Sequence, residues 1–162
     1  MRSMAALLAL MALLGPAAHA QAPAPLAIAA FDFRDTSGEP RDQTAEHAAR
    51  LKLFDTSLRE RLAGQAQLRI VPLTCRAEPC SARNNGVETL IAHAEKAQAR
   101  FLLIGEFHKI STLIGTVKLA MYDLAERKVA CDRSFSYRGD TDEAFERAAR
   151  FAARDIGEYC LR

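Results

Sequence analysis

Hydrophobic and polar positions along this chain follow two rhythms, one of period two and one near 3.6. Residues 26–33 (LAIAAFDF) form a short, mostly apolar run that reads as a first strand, with Phe31 and Phe33 on one side and Asp32 on the other. Residues 34–43 (RDTSGEPRDQ) hold Gly38 and Pro40 and read as a loop. From about Thr44, the positions Ala48, Leu51, Phe54, Leu58 and Leu62 recur at helical spacing and make one apolar stripe, with Gly64 as a left-handed stop. A second strand at 68–73 (LRIVPL) contains Pro72, which removes a ladder donor and assigns the strand to a sheet edge. After a loop at 74–86, Val87, Leu90, Ile91, Ala94 and Ala97 mark one face of a second helix.

The third strand, 100–110 (RFLLIGEFHKI), is apolar at every position of its centre, 101–104, as expected of a strand covered on both faces. Residues 113–124 and 128–138 alternate. Leu113, Gly115, Val117, Leu119 and Met121 share a face of the fourth strand; Val129, Cys131, Arg133, Phe135 and Tyr137 share a face of the fifth. A last helix starts after Gly139, with Asp140 or Thr141 as N-cap and the acids Asp142 and Glu143 in its first turn. Its buried stripe is Phe145, Ala148, Ala149, Ala152, Ile156 and Tyr159. The order β-α-β-α-β-β-β-α predicts one α/β domain with three helices and a mixed five-stranded sheet. Right-handed crossovers make the first three strands parallel, and placing the most apolar strands centrally gives the order 2-1-3-4-5.

Composition narrows the class. With 162 residues, 49% hydrophobic and 26% charged, the chain is neither a disordered tail, a collagen-like repeat nor a coiled coil, and has room for one domain. Residues 1–20 read as an export signal: Arg2, then the apolar run 5–14 (AALLALMALL), then Ala18-His19-Ala20 with cleavage after Ala20. That apolar run is half of the roughly 20 residues a membrane span needs, so no membrane span is expected. No cysteine lies in or just after the signal to carry a lipid. Residues 21–25 (QAPAP) read as an extended leader and 26–162 as the domain, placed in the periplasm. The formal net charge is only +2, falling to +1 without Arg2, which provides no basic stripe for nucleic acid.

All four cysteines, Cys75, Cys80, Cys131 and Cys160, lie beyond the signal, and an even count in an exported chain suggests two disulfides. Sequence alone allows three pairings, and the single C-x-x-x-x-C lacks the second pair a zinc site requires. Element lengths favour one pairing. The fifth strand climbs roughly 20 Å from Cys131 to Tyr137. The last helix returns roughly 27 Å to Cys160, which brings 131 and 160 together and leaves 75–80 as a local staple.

Residues 27–37 (AIAAFDFRDTS), 49–63 (ARLKLFDTSLRERLA), 99–111 (ARFLLIGEFHKIS) and 137–145 (YRGDTDEAF) resemble an exported bacterial family filed as domain of unknown function 3280, also described under 2380. The Arg-Gly-x-Thr-Asp-Glu run at 138–143 is its most specific part. Asp140 stands where the pattern has Asn, Phe145 where it has Trp, and the Glu126-Arg127 turn lacks a Gly. At fold level the chain is similar to the N-terminal domain of the Tol-Pal β-propeller protein and to the curli-secretion lipoprotein domain. The resemblance implies a periplasmic α/β module that contacts other proteins and transfers no catalytic residues.

Strands one, three and five run the same way in the expected sheet. Their carboxyl ends gather Asp32, Asp35, His108, Lys109, Arg138, Asp140 and Asp142 near the switch point where open α/β sheets take ligands. These residues are the candidate ligand or partner site, although strand-end ion pairs and a helix cap use the same residue types. His47 reads as a solvated helix residue and His93 as partly buried; His108 is the histidine suited to acid–base work. No nucleophile elbow, phosphate loop or calcium loop is present, so no catalytic residue, metal or cofactor is assigned. The leading expectation is a non-enzymatic module that binds a periplasmic or envelope protein, or itself, through an exposed strand edge. A small hydrolase or ligand-binding enzyme using Asp32, His108 and Asp140 is the alternative, and redox or metal handling through Cys75 and Cys80 a third.

Overall fold

Residues 22–161 are described by a computed structural model of the chain. The segment expected to be an export signal, Gln21 and Arg162 lie outside the described residues. Within them the order is β1 (Ala24–Ile28), β2 (Asp32–Asp35), α1 (Thr44–Ala63), β3 (Leu68–Val71), α2 (Ala82–Asn85), α3 (Val87–Lys96), β4 (Phe101–Lys109), β5 (Ile114–Asp123), β6 (Lys128–Arg138) and α4 (Asp142–Tyr159). The strands form one 6-stranded sheet in the order β3-β1-β4-β5-β6, with β2 also on β4. β1 is parallel to β3 and β4, whereas β5 and β6 add antiparallel. The expected 2-1-3-4-5 order therefore holds, with Pro72 just beyond the edge strand β3.

The expected first strand is two strands. β1 starts at Ala24, inside the expected leader, and ends at Ile28; β2 resumes at Asp32 further along β4. Between them Ala30 bridges Ser81, and Phe31 swings its ring over Gly105. A Cβ at Gly105 would lie 2.1 Å from that ring, so β4 needs a glycine there for the break to close on the core. The expected second helix is preceded by the short α2, whose Ser81 side chain accepts a hydrogen bond from the Asn84 N–H. Gly64 is not left-handed: its φ is −75°, and its N–H continues the α1 ladder to the Glu60 carbonyl. The left-handed turn residue between β5 and β6 is Arg127 (φ 52°), where Asn-Gly is missing.

Helices α1 and α4 pack side by side on one face of the sheet. The main core lies beneath them, where Phe31, Phe54, Phe107, Tyr137 and Phe145 stack edge to face or in parallel. Two disulfides close the fold, Cys75–Cys80 and Cys131–Cys160, and no cysteine is free. The second joins β6 to the end of α4, matching the lengths of the two elements. On the other face α3 forms a smaller core with Ala27, Val71, Leu90 and Leu102. Further along that face Thr116, Lys118, Asp132, Ser134 and Ser136 are polar and exposed or half-exposed, with Ala120 among them and the exposed Ile114 at the end of β5. A bulge opposite Met121/Tyr122 turns Val129 to face Tyr122, away from Cys131, so the expected alternation of the fifth strand holds only from Cys131 onward.

Candidate functional site

Strand alternation divides the candidate residues between the two faces of the sheet. In the β2–β4 register, Asp35 faces Lys109 and Phe33 faces Phe107, all toward α1 and α4, while Asp32 faces Glu106 and Arg34 faces His108 on the opposite side. Asp32, His108 and Asp140 do not converge, because Asp140 hydrogen-bonds Lys109 on the helix face. Proximity of strand ends suggested one cluster; the period of two makes it two.

On the helix face the sheet ends in a buried ion network. Lys109 is 1% exposed, although it lies next to the strand end, because α1 and the loop after β2 close over it. Its ammonium donates to Glu39, to Gln43 Oε1 at 2.6 Å and to Asp140 Oδ2 at 2.8 Å, and Asp35 lies 3.7 Å away. Asp140 also binds Arg50 Nη1 at 2.7 Å and His47 Nε2 at 2.9 Å. It is free to do so because Thr141, not Asp140, caps α4: the Thr141 hydroxyl accepts from the Ala144 N–H. Asp142 is exposed and reaches Arg50 at 3.4 Å. Arg138 is exposed, its backbone pairs with Ile114 of β5 and its carbonyl accepts from Arg147; among the described residues its side chain has no ion-pair partner.

The expectation of a solvated His47 is overturned. It is 5% exposed, stacked on Phe33 at 4.3 Å between ring centroids. His47, Leu51, Phe54, Leu58 and Leu62 are spaced 4, 3, 4 and 4 along α1, a truer helical stripe than one begun at Ala48, which is exposed. That spacing was the available signal for His47. Arg50, Glu39 and Gln43 carried none, since a loop and the flank of a helix supply them.

Burial alone would raise the Asp140 pKa, but hydrogen bonds from Lys109 and His47 pull it below the usual 3.8. Asp35 is likewise raised by burial and brought below 3.8 by its hydrogen bonds with Ser37. Desolvation would lower Lys109, yet Asp140 and Glu39 hold it above 10.5. Depressed acids stabilise the fold above 3.8 and lose that contribution as pH falls through their folded values; the raised lysine contributes below 10.5 and loses it as pH climbs through its folded value. Urea midpoints measured against pH should therefore stay level between these limits and fall beyond each. A midpoint that rises on acidification below 3.8 would contradict the network.

On the opposite face, Asp32 accepts from the Arg83 backbone N–H, and Arg83 and Arg34 pair with Glu106. His108 contacts Arg34 at 3.1 Å and the Thr36 hydroxyl at 2.7 Å. An open cavity of about 460 Å³ lies beside them, lined by Asp32, Arg83, Ile104, Glu106, Lys118 and Asp132. Another, of about 420 Å³, adjoins the ion network at Phe33, Arg41, His47 and Leu51. Among the described residues, no group of three or more His, Cys, Asp or Glu is placed to hold a metal, and no helix is long and apolar enough to cross a membrane.

A family model described as protein of unknown function DUF2380, the DUF3280 family, matches residues 24–156. The chain belongs to this family. No curated protein matches the sequence of this DUF3280 chain. Its fold recurs in hypothetical protein CT253 from Chlamydia trachomatis, at 15% identity and a TM-score of 0.57 over 85% of this chain and 98% of that one. The PelC dodecamer from Paraburkholderia phytofirmans is similar at 12% identity and a TM-score of 0.50, covering 88% and 92%. TolB from Acinetobacter baumannii aligns at 13% identity and 0.48, covering 87% of this chain and 29% of that one.

Proposed function

We propose that this DUF3280 protein is an exported, periplasmic accessory module that acts by binding protein through strand addition, and not by catalysis. The observation that carries the reading is the last strand: β6 runs 11 residues and, among the described residues, pairs with β5 alone, which leaves its outer backbone edge open up to Arg138, whose carbonyl Arg147 holds. Two further features support it. The buried Lys109 and His47 both bond the half-buried Asp140, and together they hold α1, α4 and the sheet ends in place. Two disulfides suit an oxidising compartment. Asp35, Lys109, Asp140 and Asp142 then act as structural ties, while the half-exposed Asp32 and His108 and the exposed Arg138 lie where a partner can reach them.

A photo-crosslinking residue in place of Ser134, on the β6 edge, tests this in intact cells. A discrete protein adduct is expected there and none from the same probe at Lys52 on the outer side of α1. Capture should survive His108→Ala and Asp32→Asn. Recovery of a stoichiometric small molecule, with no protein adduct anywhere along β6, would favour the ligand-binding enzyme instead.

A further inference from the structure

We propose that the open edge of β6 pairs antiparallel with the same edge of a second copy of this chain, about a two-fold axis at Phe135. The proposal rests on the strand-addition reading and names its partner. Residues 131–138 are in regular register with β5, so side chains alternate strictly over this stretch. An axis at Phe135 sets Ser134 against Ser136, Arg133 against Tyr137 and Asp132 against Arg138, each twice by symmetry. Asp132 and Arg138 are exposed on the same face of β6, and among the described residues neither side chain has an ion-pair partner. Self-pairing gives each the charge it lacks. Shifting the axis to Arg133 sets that arginine against its own copy, and an axis at Ser134 opposes Asp132 with Ser136; neither matches charge.

The helix-side face supplies the apolar part. Phe135 packs on Phe151 of α4 with ring centroids 4.6 Å apart, yet Phe151 is still 38% exposed. A cavity of about 200 Å³ opens beside them, lined by Phe135, Tyr137, Arg147, Ala148 and Phe151. Directly opposed residues of an antiparallel pair have Cβ atoms about 5 Å apart, so two Phe135 rings would meet on the axis, with a Phe151 on each side. Within the paired span β6 carries no proline and no bulge, the usual devices that blunt a strand edge.

Sedimentation of the exported, signal-free chain over a range of concentrations tests this. A monomer–dimer equilibrium is expected. Asp132→Arg and Arg138→Asp should each raise the dimer dissociation constant about tenfold or more, since each turns two attractive pairs into like-charge pairs. The double variant, with both charges exchanged, should return to within about threefold of the native value. Thermal unfolding of the dilute variants should match the native chain, because neither side chain has a partner within one copy. A chain that stays monomeric, a ring of higher order, or a double variant no better than the singles would overturn the proposal. A monomer whose Ser134 probe still captures a different protein would sink self-pairing alone; a monomer with no capture would end both readings.

Discussion

Lys109→Met is expected to lower folding stability by about 3–5 kcal/mol, the usual cost of removing one partner from a buried ion network. Methionine retains most of the aliphatic stem but takes away the ammonium that Glu39, Gln43 and Asp140 share. Glu39 and Asp35 would then face Asp140 with only Arg50 and His47 to offset it. The check is urea denaturation at neutral pH, where the midpoint should fall with little change in slope. Repeating it at progressively lower pH gives an internal control, because the gap between the two proteins should narrow as pH falls through the depressed folded values of Asp140 and Asp35. A variant as stable as the native chain at neutral pH would mean the network adds nothing to the fold.

Removing the Cys131–Cys160 bridge should cost about 3.5 kcal/mol, and removing Cys75–Cys80 about 2, on the loop-entropy relation. The difference follows from the separations bridged, 29 residues against 5. Paired alanine variants, unfolded in urea, should rank in that order, and the native chain should show no titratable thiol until reductant is added. An accessible thiol pair at Cys75 and Cys80 would instead point to redox work. Cys160 is buried at the end of α4 and Cys131 packs against the main core, so the longer bridge also fixes the helix against the edge strand on which partner binding is proposed.

Most of the frame was legible because it is written in periodicities. The two-sided apolar run of β4 put it at the centre, Pro72 put β3 at the edge, and element lengths matched Cys131 to Cys160. What escaped depends on contacts between distant segments. The break after Ile28 exists because Phe31 fills the space over Gly105, seventy-odd residues away, and nothing near Phe31 announces it. Asp155 is buried on α4 because Arg133 of β6 meets it with two hydrogen bonds, and a helix stripe alone treats an acid there as solvated. The candidate site was half legible. Its acids and Lys109 do meet, but grouping residues by strand ends overrode the alternation that sends His108 and Lys109 to opposite faces.

That same alternation gives the molecule two different histories on the two sides of one sheet. Beneath α1 and α4, a change at Phe107 or Val117 must be answered by a neighbouring ring or helix, so substitutions there are slow to fix. On the bare half, Thr116, Lys118, Ser134 and Ser136 can be exchanged with little cost to folding. Whatever selection preserves those four must come from molecules that visit them.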